Sequence, residues 1–200
     1  MPEGKFGYIG SLPEEIRDVF MWLCQDMVAL YRKWDFYLGL YGKPENQPIV
    51  SFLPQAFSVI EESLRTDLTM AICRLSDPLE MRKQENLNFR SLGAFYCQDA
   101  KLQVLINEFV MSCEPVRINR NKLVGHSDKV ARLEPGRAMI PQIKKSDIDT
   151  IIKNAESIIA HVSWEYGNQT YGFGIPGDGG ADALVYWFKK GSDNRQPRIG

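Results

Sequence analysis

Residues 11–40 read SLPEEIRDVFMWLCQDMVALYRKWDFYLGL, and this stretch decides the fold class. Its apolar positions are Ile16, Val19, Phe20, Leu23, Met27, Leu30, Tyr31, Trp34 and Leu38. Steps of three and four place all of them on one stripe of a long amphipathic helix. Ser11 and Glu14 have the spacing of a capping box, and Pro13 suits a first turn, so a start near residue 11 is expected. Proline and glycine in YGKPENQP, residues 41–48, end the helix.

The pattern repeats outward along the chain. A second helix is expected from about Pro54 to Ser76, with Phe57, Ile60, Leu64, Leu68, Ile72 and Leu75 on its stripe and Pro78 closing it. The polar link LEMRKQEN leads to a third over roughly Ser91 to Cys113, carrying Leu92, Phe95, Leu102, Leu105 and Phe109. Pro115 is read as opening a fourth, short helix. Ser146 and Asp149 mark the start of a fifth, whose stripe is Ile148, Ile151, Ile152, Ala155, Ile158, Ile159 and Val162. His161 falls off that stripe and is expected to be exposed. Sustained period-two alternation is missing, so strands have little support. The expected architecture is all-α: an antiparallel bundle of about five main helices over residues 1–167, with residues 168–200 as a glycine-rich loop and a helical appendage.

Composition narrows the function classes. With 44% hydrophobic residues the chain can bury a core, and a net charge of −1 excludes a general polyanion coat. Any polyanion site must be local. Cys24, Cys73, Cys97 and Cys113 show neither C-x-x-C pairing nor histidines at zinc spacing, so reduced, largely buried thiols are expected, with no metal and no cofactor. The segment MPEGKFGYIG lacks the layout of a signal peptide, and no apolar run approaches membrane-spanning length. A cytoplasmic protein without a membrane partner is the expectation.

The most basic stretch lies between Pro115 and Arg137 and holds Arg117, Arg120, Lys122, Lys129, Arg132 and Arg137 against Asp128 and Glu134. Within it, RINRNKLVGHSD (117–128) contains the first of only two histidines, six positions after Arg120. A solvated helix end would give the same charges. On a regular helix six residues turn about 240° and rise about 9 Å, so Arg120 and His126 would not share a face. Two copies about a two-fold axis could bring one chain's arginine near the other's histidine. Imidazole can move a proton at a ribose 2′-hydroxyl or at the leaving oxygen, and guanidinium can hold charge growing on phosphate. That chemistry is RNA cleavage without a metal.

These residues resemble a family. Arginine, a polar residue (Asn121) and a histidine after a short gap look like the signature of the HEPN superfamily, small all-α domains that include metal-independent RNases. RNKLVGHSD, preceded by AICRLSDP and ENLNFRSL, looks most like its abortive-infection AbiU branch. The resemblance implies a site formed where motif helices of two protomers meet, with Arg120 and His126 catalytic and Asn121 supporting. Arg117, Asn121, Lys122 and Lys129 are then the RNA-binding candidates, and an antitoxin or regulatory protein is an implied partner. On the second helix, Asp67 and Arg74 are either interhelix salt-bridge partners or polar residues facing the motif, and Asp128 is a further supporting candidate. The runner-up function is a non-catalytic helical module binding a protein, nucleotide or RNA.

Overall fold

A computed structural model describes residues 11–81, 83–124, 141–168 and 180–193. The elements are α1 (Glu14–Tyr41), a 3-10 turn (Pro44–Asn46), α2 (Gln47–Phe52), α3 (Pro54–Ser76), β1 (Glu80–Met81), β2 (Gln84–Glu85), α4 (Phe89–Phe95), α5 (Ala100–Asn119), a π-helical turn (Arg120–Val124), α6 (Lys145–Glu165) and α7 (Ala181–Asp193). The protein is all-α, as the stripes require. Among the described residues the one β feature is a two-residue antiparallel ribbon, Glu80 opposite Glu85 and Met81 opposite Gln84, inside the polar link. Lys83 turns it at φ 66°, a left-handed conformation uncommon away from glycine.

The chain forms two packed units, residues 1–27 with 69–173 and residues 28–68 with 174–200. In the first, α5 packs along α6. The whole predicted stripe of α6 is buried, from Ile148 to Val162. The matching face of α5 is Leu102, Ile106, Phe109, Cys113 and Val116. Phe89 of α4 meets Phe109 edge to face at 5.0 Å between centroids. Gly93 permits α4 to approach α5, since a Cβ there would lie 2.8 Å from Ile106 Cδ1.

Four expectations from the sequence differ from the structure. Ser11 does not cap α1, which begins at Glu14; its hydroxyl instead donates to the Gly167 carbonyl beyond α6. The expected third helix is two, because Asp99 starts a new helix by accepting the Leu102 N–H at 2.9 Å. Pro115 opens nothing and lies inside α5. It removes the hydrogen bond to the Met111 carbonyl, but Met111 is 75% exposed, so that carbonyl lies on the watered side of the helix. Cys113 and Val116 keep the buried stripe continuous past the proline. The start of α6 also shifts, with Asp147 rather than Asp149 accepting the Lys144 N–H at 2.8 Å.

The second unit has its own core of Leu40, Ile49, Phe57, Ala181 and Val185, with Phe36, Tyr41, Val50, Ile60 and Phe188 packed against it. Gly39 lets α7 sit close to α1, because a Cβ there would lie 2.5 Å from the Ala181 side chain. Polar ties fix the same elements: the Tyr41 hydroxyl donates to the Phe57 carbonyl at 2.7 Å, and Asn46 Nδ2 donates to the Gly39 carbonyl at 2.6 Å. Lys43 pairs with Asp182 at 2.7 Å. Among the described residues, no helix is long and apolar enough to cross a membrane.

Candidate functional site

The two ends of α5 carry the chain's conspicuous polar chemistry. At the C-terminal end the regular helix stops at Asn119, and Arg120 to Val124 widen into a π turn, a geometry that recurs at functional sites. The assumption of 100° per residue therefore holds only up to Asn119. His126, with Asp128 and Lys129, lies outside the described residues.

Arg120 Nη1 donates to both carboxylate oxygens of Asp77, each at 3.1 Å, and Arg120 Nε donates to Asn121 Oδ1 at 3.1 Å. The pair is mostly sheltered, with side-chain exposures of 18% for Arg120 and 12% for Asp77. Charge-assisted bonds of this kind fix a guanidinium plane rather than merely attracting a cation. Asp77 is itself held. It follows the last residue of α3, and the buried Asn88 donates Nδ2 to the Asp77 carbonyl at 3.1 Å while capping α4 through the Arg90 N–H. Helix carbonyl ends disfavour a carboxylate, so Arg120 supplies the positive charge that the end of α3 does not.

Beneath the pair are buried thiols. Burial pushes Cys73 up to about 11, with Arg120 pulling weakly the other way, and burial pushes Cys113 up to about 12. Cys24 is also buried, whereas Cys97 is exposed, and all four are free thiols. Neither Cys73 nor Cys113 is a nucleophile at neutral pH.

The remaining predicted residues fall as follows. Arg117 is half-buried and pairs with Glu114 one turn back at 3.2 Å. Lys122 is half-buried on the π turn, and Asn121 is exposed there. Asp67 forms an interhelix salt bridge with Lys33 at 2.6 Å. Arg74 is exposed on the last turn of α3. The residue that sequence reasoning missed is Asp77. Its signal was an acid at a helix end just before Pro78, a place where a carboxylate needs a reason.

At the N-terminal end of α5 the chemistry is closed. His161, expected to be exposed, is buried, and its Nε2–H donates to Asp99 Oδ2 at 2.7 Å. The Tyr166 hydroxyl donates to the same oxygen at 2.8 Å, and the Tyr166 ring stacks on Tyr96 at 3.8 Å. Burial works to raise the Asp99 carboxyl, but the Leu102 N–H, His161 and Tyr166 together outweigh it and hold the group down at about 2. Tyr166, half-buried beside that carboxylate, is pushed up to about 12 by desolvation and by its bond to Asp99. His161 sits about 60° around the helix from Ile158, at the margin of the buried stripe, which is why periodicity misassigned it. Among the described residues no group of three or more histidine, cysteine or acidic side chains is arranged to hold a metal ion.

No curated protein and no solved structure gives a match to the chain. One family model does match, HEPN_AbiU2, described as AbiU2, and it spans residues 14–182. That span covers every helix from α1 to α6 together with the Arg120 motif, so the chain belongs to the HEPN_AbiU2 family.

Proposed function

We propose that the protein is a metal-independent endoribonuclease, acting in the cytoplasm as an abortive-infection effector under the control of an antitoxin or regulatory protein. The observation that carries this reading is the Arg120 guanidinium, oriented by Asp77 and Asn121 on a π turn, with His126 six residues on in the sequence. In the reaction, a neutral His126 removes the 2′-hydroxyl proton, and that oxygen attacks the adjacent phosphorus. The P–O5′ bond breaks, and the leaving oxygen takes a proton from an imidazolium or from water. Arg120 stabilises the negative charge that builds on the phosphoryl oxygens. The products are a 2′,3′-cyclic phosphate and a 5′-hydroxyl. Arg117, Asn121, Lys122 and Lys129 would bind the flanking phosphates.

Composite geometry is part of the reading. A homodimer with an isologous interface would set Arg120 of one protomer against His126 of the other. Light scattering should then give about twice the 22.8 kDa chain mass, and a monomer at micromolar concentration with full activity would remove the composite site. Cleavage is tested on mixed-sequence RNA with and without EDTA. The reading expects EDTA-resistant cutting that leaves cyclic phosphate and fails where the 2′-hydroxyl is methylated.

The second reading is a non-catalytic HEPN-like module that binds a protein, nucleotide or RNA. It is favoured by the Arg120–Asp77 pair itself, because a sheltered ion pair can be structural without being catalytic. Wild-type protein that cuts no RNA, yet loses partner binding on substitution of Arg117 or Lys122, would favour this module.

A further inference from the structure

The last fifteen residues of the sequence hold Lys189, Lys190, Arg195 and Arg198 against Asp193, so they carry +3 while the preceding 185 carry −4. The described part of this basic region is the outer face of α7. Ala181, Val185 and Phe188 point into the second core. On the opposite side, Tyr186 and Trp187 are 57% and 63% exposed, large areas for aromatic rings that a core would welcome. Lys190 follows them by four and three residues, and its Nζ lies 5.9 Å from the Tyr186 centroid and 5.1 Å from the Trp187 centroid. The two rings meet edge to face, 5.4 Å apart at 78°. Helix spacing thus builds a platform of two ring faces with an ammonium group between them, and the exposed Lys189 borders it.

We infer that this face of α7 docks a single-stranded segment of RNA, with bases stacking on Trp187 and Tyr186 and phosphates paired by Lys190 and Lys189. The inference rests on RNA being the substrate class proposed above, and it adds a second place where the strand is gripped. Charge decides between this occupant and a second copy of the chain. A two-fold contact through this face would bring Lys189 and Lys190 of both protomers into one interface, whereas a nucleic acid strand offers π faces for the rings and negative charge for the lysines. Aromatic platforms of this type bind without strong sequence preference, because every base has a π face.

The test uses the full chain and a fluorescently labelled, fully 2′-O-methylated mixed-sequence oligoribonucleotide, so binding is read by anisotropy without cleavage. Trp187→Ala is expected to weaken binding by about tenfold, and Trp187→Phe by no more than about twofold. Lys190→Gln should lower the slope of log affinity against log salt by about 0.7, one single-strand phosphate contact. Both sites are exposed, so circular dichroism should be unchanged. Equal affinity of Trp187→Ala and wild type overturns the inference, as does wild type that fails to bind. So does a dimer that Trp187→Ala splits while RNA affinity stays the same, the outcome a docked second copy would give. Cleavage of unmodified RNA separates the two proposals. Trp187-dependent binding without any cleavage keeps the platform and removes the nuclease. Cleavage with unchanged binding in the platform variants does the reverse.

Discussion

Helix α5 has a carboxylate-centred network at each end, and helix electrostatics acts on the two carboxylates in opposite directions. At the N-terminus, Asp99 accepts from a backbone N–H, an imidazole and a phenol, and the positive end of the helix adds to all three. Each partner lowers the energy of the folded chain, and their donors are spent on one carboxylate. At the C-terminus, Asp77 sits against the carbonyl end of α3, where a negative charge is disfavoured, and one guanidinium compensates. The first is what a sequence builds to hold helices together. The second is an ion pair that an apolar contact of similar volume could replace at little cost in stability, and its cation opens the π turn that precedes His126 in the sequence. Charge set where helix electrostatics oppose it is what the proposed working site has and the N-terminal network lacks.

The largest expected effect lies at the structural end. Asp99→Ala removes the α5 cap and strands the His161 and Tyr166 donors, so unfolding free energy in urea should fall by about 3 kcal/mol. RNA cleavage per folded molecule should be unaltered. A loss of cleavage with intact stability would collapse the distinction between the two ends.

Next comes Arg120→Met, which leaves the sheltered Asp77 carboxylate at a helix carbonyl end and should cost about 2 kcal/mol. Adding Asp77→Leu should return most of that stability, because both charges are then gone. Cleavage should be lost in the single and the double variant alike. A double variant that regained activity along with stability would make Arg120 a structural residue only.

Acid sharpens the contrast without new contacts. The folded Asp99 carboxyl lies near 2, below its ordinary value near 4, so its contribution is fully present above pH 4 and is lost as pH falls through 2. The stability gap between wild type and Asp99→Asn should therefore narrow over that window. A gap constant from pH 6 to pH 2 would contradict the assigned network.

The smallest effect is at Ser11, whose hydroxyl ties the chain before α1 to Gly167. Ser11→Ala should cost about 1 kcal/mol of stability, with no change in activity. A larger loss would restore the capping role that the sequence suggested.

The legible part of the sequence was its periodicity. Each residue of the α6 stripe from Ile148 to Val162 was named from spacing alone, because a face that must be dry leaves a repeat of three and four. Single-residue punctuation read less well. Pro115 looked like a start and proved tolerable inside α5, since the carbonyl it frees is on the side of exposed Met111. Asp99 carries a readable cap signal, an acid directly before Ala100, which the long apolar stripe of the expected third helix overrides. The pairings of His161 and Asp77 were unreadable for a deeper reason. Their partners, Asp99 and Arg120, are 62 and 43 residues away, and no local pattern records a pairing made only by folding. Arg120 itself was found because its chemistry is local to the motif.

One measurement bears most directly on the claim that the C-terminal end of α5 is the working end. Wild type and His126→Ala are incubated with the same RNA, the product ends are identified, and thermal unfolding is recorded on the same samples. The account predicts cleavage by wild type to 2′,3′-cyclic phosphate ends and a fall of about 10²–10⁴ in rate for His126→Ala, at unchanged melting temperature. Equal cleavage by the two proteins, or a melting temperature that falls along with activity, would contradict it.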